Sequence, residues 1–236
     1  MSIRIQNLTK IYGSQKAVDD ISFDVNPGEI VGFLGPNGAG KSTTMKITTC
    51  YLSATSGKVE VNGFEVAQHS MQVRRSIGYL PEHNPLYIDM YIKEFLRFVG
   101  ALYDLKGREL TLRVNEMIEM CGLEIEQHKK IGQLSKGYRQ RVGLAQALIH
   151  NPPVLILDEA TTGLDPNQII EIRNLIKTVG QQKTVLFSSH IMQEVEAICN
   201  RVVIINRGRV VANRILEDLQ NEGKPLEEVF RELTTQ

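Results

Sequence analysis

The chain of 236 residues has no excess charge of either sign and no long hydrophobic run. Lysine plus arginine and aspartate plus glutamate number 27 each, so overall charge does not favour a polyanionic partner, and we expect no nucleic acid to bind. No apolar run approaches the roughly 20 residues that span a bilayer. The opening MSIRIQNLTK lacks the apolar core of a secretion signal. We therefore expect a chain that neither carries such a signal nor crosses a membrane by itself.

Cysteine is also scarce. The three cysteines, Cys50, Cys121 and Cys199, are far apart, odd in number and without metal-ligand spacing. This pattern indicates reduced thiols in a cytosol-like compartment rather than a disulfide framework or a metal site. We expect them to serve as small buried hydrophobic side chains.

The stretch GPNGAGKST at residues 35–43 is the first motif that carries chemistry. It satisfies the pattern G-x-x-x-x-G-K-[ST] between an apolar run, 30–34, and a helix-compatible segment that starts at Lys41. Its glycines let the backbone approach a phosphate closely and aim N–H groups at it. Lys41 is expected to add a charge at the β/γ-phosphates, and Ser42 a ligand for Mg²⁺. Kinases, GTPases and motor ATPases share this motif, so it does not by itself identify the function.

Two later strand-like runs end in polar side chains. VLILDEATTGLD places Asp158 and Glu159 at the end of an apolar strand, and TVLFSSH does the same for His190. Ligands bind at the carboxyl edge of open α/β sheets, so these side chains should meet the phosphate loop there. Asp158 then holds Mg²⁺, Glu159 orients or deprotonates a water, and His190 contacts the γ-phosphate.

A second anion site is predicted at LSKGYRQR, residues 134–141. Ser135 is the expected N-cap of an amphipathic helix over 135–150, and Gly137 follows within its first turn. A capped helix N-terminus binds anions, although the same segment is also compatible with an ordinary capped helix. Because one nucleotide rarely needs two phosphate cradles, we expect this one to close over a nucleotide held by another copy of the chain.

Strand-like and helix-like segments alternate through the second half of the chain, which predicts a parallel sheet covered on both faces. A β pair with Asn62-Gly63 as its turn is expected within 57–66, and a helical insert from Met90 to about His128. The other expected elements are β-type runs over 3–23, strands at 154–158, 184–189 and 202–206, and helices at 166–179, 191–198 and near the C-terminus.

Taken together, these motifs resemble those of the nucleotide-binding subunits of ABC transporters. The resemblance covers nearly all of the chain and rests on their order: Walker A at 35–43, signature at 134–138, Walker B at 154–159, D-loop at 163–165, and the switch residue His190. It implies an α/β fold of the P-loop NTPase class, a mainly parallel sheet flanked by helices, with an N-terminal antiparallel β subdomain and a helical subdomain.

The resemblance also implies a division of the single domain, 1–236. Residues 1–81 and 131–215 would form the β subdomain and the P-loop core, 82–130 the helical subdomain, and 216–236 a C-terminal helical extension. Glu159, His190 and Lys41 would be catalytic, and Ser42, Glu82 and Asp158 would bind Mg²⁺. The residues expected to bind ATP are Tyr12, which would stack on adenine, Gly35, Asn37, Gly38, Ala39, Gly40, Lys41, Ser42, Thr43, Glu82, Ser135, Gly137 and Asp165.

Three departures from the family pattern stand out. Lys136 and Tyr138 replace the usual Gly and Gln of the signature, Ala160-Thr161-Thr162 stands where Pro-Thr-Ser is commoner, and Glu82 replaces the Q-loop Gln. The segments YLPE, LSKG and LEEVF together resemble the ABC-2 branch, mostly exporters, and within it the gliding-motility-associated ATP-binding subunits.

The implied activity is ATP hydrolysis by an ATP-dependent homodimer that drives separate transmembrane permease subunits from the cytoplasmic face of the cell membrane. The alternative is a soluble ABC-type ATPase in a non-transport process such as DNA repair or translation. Such proteins usually carry a long insertion or a second cassette, and only 94 positions separate Lys41 from Ser135. A P-loop kinase is less compatible, because it needs an acceptor pocket and typically an Arg-rich lid.

Overall fold

The computed structural model describes residues 1–235. Within them, the chain forms ten strands: β1 Ile3–Tyr12, β2 Gln15–Val25, β3 Ile30–Leu34, β4 Ser56–Val61, β5 Phe64–Glu65, β6 Ile77–Leu80, β7 Val154–Asp158, β8 Thr184–Ser189, β9 Arg201–Asn206 and β10 Arg209–Ile215. The same range contains nine α-helices: α1 Lys41–Thr48, α2 Ser70–Ser76, α3 Ile92–Leu102, α4 Gly107–Met120, α5 Lys136–Leu148, α6 Pro166–Gly180, α7 Met192–Ile198, α8 Leu216–Asn221 and α9 Leu226–Thr234.

The strands form two sheets. The larger has six strands in the order β10-β9-β3-β8-β7-β6. All neighbours in it are parallel except β10, which pairs antiparallel with β9 at one edge. The smaller sheet, in the order β2-β1-β4-β5, is antiparallel throughout. The predicted fold class, a mainly parallel sheet with an N-terminal antiparallel β region, is therefore confirmed.

Each face of the larger sheet buries its own hydrophobic cluster. Leu155 and Leu157 of β7 pack in the cluster that includes helices α3 to α7, and Val154 and Ile156 point into the cluster with α1 and the smaller sheet. Side chains alternate between the faces of a strand, so a strand covered on both sides is apolar throughout. This is why VLILD appears in the sequence as a continuous apolar run.

The predicted turn at Asn62-Gly63 is present between β4 and β5. Asn62 has φ +50° and Gly63 has φ +81°, and positive φ at both central residues is what a two-residue type I′ hairpin turn requires. The expected helical insert is also present, as α3 and α4. The division into subdomains stays a prediction, and Gln236, at the end of the proposed extension, lies outside the described residues.

The three cysteines are free thiols. Cys121 and Cys199 are buried and Cys50 is half-buried. Burial raises the pKa of the Cys121 thiol to about 12, so this side chain stays neutral. The cysteines therefore behave as the small hydrophobic side chains that the sequence predicted.

Two strands of the larger sheet were not predicted. β6 is short and contains Gly78, which weakens the sequence signal for a strand. A Cβ at Gly78 would lie 2.1 Å from the backbone oxygen of Ala147, so the glycine allows α5 to cross close to the strand. β10 is an edge strand whose residues alternate between exposed and half-buried, and it carries Arg209, Asn213 and Arg214 among its apolar residues. α1 ends at Thr48, three residues before the predicted end near Tyr51.

Candidate active site

The loop between β3 and α1 is shaped by close backbone contacts. A Cβ at Gly35 would lie 2.4 Å from the Ile205 carbonyl oxygen, and one at Gly40 would lie 2.5 Å from the Ala17 carbonyl oxygen. Gly40 also has φ +111°, a conformation that residues with a side chain rarely adopt. Only glycine fits at these positions, and the loop can therefore wind tightly into the N-terminus of α1.

Lys41 is held beneath this loop. It is 5% exposed, and its ammonium group donates to the carbonyl oxygens of Gly35 at 2.7 Å and Pro36 at 3.2 Å. Its Nζ lies 3.7 Å from Glu159 Oε1. Burial lowers the pKa of Lys41, and the carboxylates of Glu159 and Asp158 oppose that shift. The site thus holds one buried cation at the base of the loop.

Asp158 and Glu159 lie together at the carboxyl end of β7. Ser42 Oγ lies 3.4 Å from Asp158 Oδ1, which brings two of the three predicted Mg²⁺ ligands together. Burial raises the pKa of Asp158, and the hydrogen bond from Ser42 opposes the shift. Glu159 has φ +54°, a rare left-handed conformation for a residue with a side chain. Such strain is common where the surrounding structure fixes a functional side chain.

His190 follows β8 and points at Glu159. Its Nδ1 lies 2.7 Å from Glu159 Oε2, and since an ionised carboxylate only accepts, Nδ1 carries the proton. Thr162 Oγ1 donates to the same oxygen at 3.0 Å. The Glu159 carboxylate is therefore fixed from two sides.

These side chains line a cleft of about 400 Å³. Nine predicted residues line it: Asn37, Gly38, Gly40, Lys41, Ser42, Thr43, Glu82, Glu159 and His190. A second cavity of about 400 Å³ shares Ser42 and Glu82 with the cleft and is lined also by Asp158, Tyr51 and Tyr79. Glu82 thus lies where the two cavities meet.

Other predicted residues lie outside the lining of the cleft. Gly35 and Ala39 belong to the loop itself. Tyr12 is half-exposed at the end of β1, with Lys10 Nζ 5.2 Å from the centre of its ring. Its stacking on adenine stays a prediction.

The predicted signature residues and Asp165 lie at helix starts. Ser135 caps α5, and its Oγ accepts from the Tyr138 amide at 3.4 Å. A Cβ at Gly137 would lie 2.4 Å from the side chain of Gln168, so the start of α5 packs closely on α6. Asp165 caps α6 and accepts from the amides of Asn167 and Gln168. Within one chain, Ser135 and Gly137 lie outside the lining of the cleft that contains Lys41.

Sequence reasoning missed three residues at or beside the cleft. Thr162 holds Glu159, Ala17 lines the cleft beneath Gly40, and Gln140 Nε2 donates to the Ala160 carbonyl at 2.8 Å. Thr162 lies three residues after Glu159, within reach across a tight turn, and that spacing was the available signal. Ala17 and Gln140 are brought in by tertiary contacts that no local pattern indicates.

The residues present fit a nucleotide with a divalent cation. The described residues contain no group of three or more His, Cys, Asp or Glu that could hold a metal alone. Mg²⁺ is usually bound by one or two carboxylates together with substrate phosphates, and Ser42 and Asp158 supply such a partial oxygen set. A tight glycine-containing loop that leads into a helix N-terminus, with a buried lysine below it, suits the phosphates.

A search of protein-family models matches residues 18–162 to the ABC transporter family. The chain belongs to the ATP-binding subunits of this family. NatA of Bacillus subtilis, an ABC transporter ATP-binding protein, is 39% identical over 92% of this chain and 88% of its own length. The bacitracin transport ATP-binding protein BcrA of Bacillus licheniformis is 36% identical over 94% of this chain and 72% of its own length.

Solved structures agree with this assignment. An ATP-binding subunit of an ABC transporter superposes with a TM-score of 0.89 at 31% identity and covers 99% of both chains. The dimeric post-hydrolysis state of the cassette MJ0796, bound to ADP and Pi, gives a TM-score of 0.83 at 27% identity, over 91% of this chain and 98% of that one. This ATP-binding subunit is an ATP hydrolase of the ABC type. None of its described helices has the length and apolar character to span a bilayer.

Proposed function

We propose that two copies of this subunit close head to tail around two ATP molecules. The observation that carries the proposal is the separation of the two phosphate-binding features within one chain. Lys41 lies at the cleft, while Ser135 and Gly137 lie at the start of α5, outside its lining. A second copy can supply the missing α5 N-terminus, and the dimer of the similar cassette MJ0796 supports this arrangement.

The residues of the cleft take distinct roles. Lys41 binds the β/γ-phosphates together with the loop residues Gly35, Asn37, Gly38, Ala39, Gly40 and Thr43. Glu159 accepts a proton from the attacking water, and His190 holds Glu159 and contacts the γ-phosphate. Ser135 and Gly137 reach the nucleotide of the partner chain, Asp165 links the two sites, and Tyr12 stacks on adenine.

Ser42, Asp158 and Glu82 are the proposed Mg²⁺ ligands, directly or through water. When bound, Mg²⁺ neutralises phosphate charge and orients the β/γ-phosphates. The buried carboxyl of Asp158 beside the Ser42 hydroxyl supports this role, because burying a carboxylate is unfavourable unless a cation or hydrogen bonds compensate it.

We further propose that the subunit drives separate transmembrane permease subunits and that the complex is an exporter. The names of the similar proteins support transport: bacitracin transport for BcrA and Nod factor export for a protein of Cupriavidus metallidurans. The helical subdomain, 82–130, then binds the permease, and Glu82 lies at its hinge with the core. We propose that the subunit lies on the cytoplasmic face of the cell membrane. We also propose that it belongs to the ABC-2 branch, near the gliding-motility-associated subunits.

Mixing two inactive variants tests whether the chains act on each other's nucleotides. Lys41→Ala disables the phosphate loop and Ser135→Arg disables the α5 start. In a mixed dimer, both defects fall on one site if Ser135 acts on the partner's nucleotide. We expect ATPase activity to return to about a quarter of wild type at equal mixing, because half of the dimers are mixed and each keeps one intact site.

Two controls make the mixing experiment decisive. Each variant alone must be inactive, and differently tagged chains must co-purify to prove that mixed dimers form. No recovered activity in proven mixed dimers would contradict action between chains. Full activity of Ser135→Arg alone would remove Ser135 from the site.

A further inference from the structure

A buried carboxylate lies behind the switch segment, which we define as Ser189–Ile191. Ser189 Oγ donates to Glu194 Oε2 at 2.8 Å and accepts from the Ile191 amide at 3.0 Å. Ser189 is 0% exposed and Glu194 is 1% exposed. One hydroxyl therefore bridges the backbone after His190 and a buried side chain on α7.

No hydrogen-bonded ion pair among the described residues compensates the burial of the Glu194 carboxylate. The nearest cation, Arg173 of α6, has its Nη2 at 3.9 Å from Glu194 Oε1, longer than a hydrogen bond. Among the described residues, Glu194 Oε1 and Arg173 Nε have no hydrogen-bond partner although both are buried. A buried carboxylate with one unpaired oxygen is unfavourable for stability. A role other than stabilisation would explain its presence.

We propose that Glu194 is a positioning residue that fixes the direction of the His190 ring. It acts through Ser189, whose hydroxyl restrains the switch segment so that His190 Nδ1 meets Glu159 Oε2 at 2.7 Å. The other Glu194 oxygen, Oε1, lies 3.9 Å from Arg173 of α6, the helix that Asp165 caps. The catalytic consequence rests on the proposed function, in which Glu159 activates water.

Substitutions at Glu194 separate positioning from stability. Glu194→Gln keeps an oxygen that accepts from Ser189 but removes the charge beside Arg173, so it alters stability and leaves the His190 ring in place. Glu194→Ala removes the acceptor as well, and the switch segment loses its restraint. Glu196→Ala, an exposed carboxylate on the same helix, is the matched control.

The first measurement is the ring ¹⁵N spectrum of His190 in the full chain without nucleotide, which requires no ATP hydrolysis. Glu194→Ala should move the Nδ1 resonance toward that of a ring with no hydrogen bond. Glu194→Gln and Glu196→Ala should keep the wild-type resonance. Ser189→Ala should reproduce the Glu194→Ala shift and serves as the second variant if Glu194→Ala does not fold. An unmoved resonance in a folded Glu194→Ala or Ser189→Ala chain would overturn the proposal.

The second measurement is steady-state ATP hydrolysis. Glu194→Ala should lower kcat roughly tenfold and leave KM within about twofold of wild type. The reason is that a misdirected His190 ring no longer holds Glu159, while the phosphate loop stays intact. Glu194→Gln should keep kcat within about threefold. A kcat equal to wild type in Glu194→Ala would refute the catalytic part of the proposal. Wild-type protein that shows no hydrolysis would instead count against the proposed function, and the ¹⁵N result would still test the positioning of the ring.

Discussion

Glu82 carries a negative charge where the family pattern described above has a neutral glutamine. It lines both the cleft and the adjacent cavity, so in the proposed ATP complex its carboxylate lies close to the γ-phosphate and its cation. Two anions about 6 Å apart at an effective dielectric of about 20 repel by roughly 2–3 kcal/mol. A cation between them removes that repulsion, and a glutamine in place of Glu82 would not experience it.

We therefore predict that Glu82→Gln tightens ATP binding in EDTA by about tenfold or more and changes binding of Mg-ATP little. Calorimetric titration of both proteins, with and without Mg²⁺ at fixed ionic strength, measures the two affinities. Glu109→Gln, an exposed carboxylate on α4, is the control for a general change in net charge. Equal shifts with and without Mg²⁺ would leave Glu82 with no special role in metal binding.

At the scale of secondary-structure elements, His150 joins three of them. It follows α5, its Nε2 donates to the Ile77 carbonyl of β6 at 3.0 Å, and its ring stacks on Tyr103, just after α3, with centroids 3.7 Å apart. Burial lowers the pKa of His150 to about 4, a shift that the bond to Ile77 partly opposes. The folded chain therefore holds this imidazole neutral where an unfolded chain protonates it.

The sign of the pH dependence follows from this difference. The unfolded imidazole binds a proton below about pH 6.5 and the folded one only below about pH 4, so the free energy of unfolding falls as pH drops across that range. We predict that protonation of His150 alone lowers the free energy of unfolding by about 2–3 kcal/mol between pH 7 and pH 4. This figure allows for the partial exposure of the ring.

Urea unfolding at several pH values checks this prediction. His150→Gln should flatten the profile between pH 6.5 and 4, because glutamine does not titrate. His128→Gln, at an exposed position, should keep the wild-type slope. Identical slopes for wild type and His150→Gln would disprove the predicted linkage.

The elements differ in how much of them the sequence could predict. β7 contains the apolar run VLIL and β8 the apolar run VLF, because helices or the smaller sheet cover both of their faces, so their sequences indicate them directly. β6 was missed because it has four residues and includes Gly78, whose presence reflects contact with α5 rather than a strand preference. β10 was missed because it is half exposed at an edge and therefore carries arginines among its apolar residues.

Some residues of the site could likewise be predicted from the sequence, and others could not. The loop residues, Asp158, Glu159 and His190 were predictable because each lies at the end of a recognisable strand. Ala17 and Gln140 were not, since their positions depend on the packing of β2 and α5 against distant segments. Local sequence thus predicts which side chains reach the sheet edge, while tertiary packing decides what supports them.

For the whole molecule, the main prediction concerns association. Glu159→Gln removes the charge to which the proposed function assigns water activation, but it keeps an oxygen that can accept from His190 and Thr162. It also removes one negative charge from the cleft that is proposed to close over phosphates. We therefore expect this variant to bind ATP, hydrolyse it at least about a hundredfold more slowly than wild type, and accumulate as an ATP-dependent dimer.

Light scattering coupled to gel filtration measures the mass of Glu159→Gln in ATP, in ADP and without nucleotide. A doubling of mass in ATP alone is expected. The double variant Glu159→Gln with Lys41→Ala should remain a monomer in all three conditions, because its phosphate loop is disabled. A monomer for Glu159→Gln in saturating ATP would count against closure by this chain without the permease.

The two termini of the described chain lie near opposite ends of the parallel strands of the larger sheet. Ser2 Oγ accepts from Thr184 Oγ1, at the start of β8, at 2.8 Å. The Leu233 carbonyl accepts from Asn206 Nδ2, at the end of β9, and Gly208 in the next turn donates its amide to Ala39 of the phosphate loop. A dye or affinity tag placed before Ser2 therefore lies far from the nucleotide. Leu233 lies on the side of the phosphate loop, so a tag at that terminus can report the proposed closure by fluorescence and can also obstruct it.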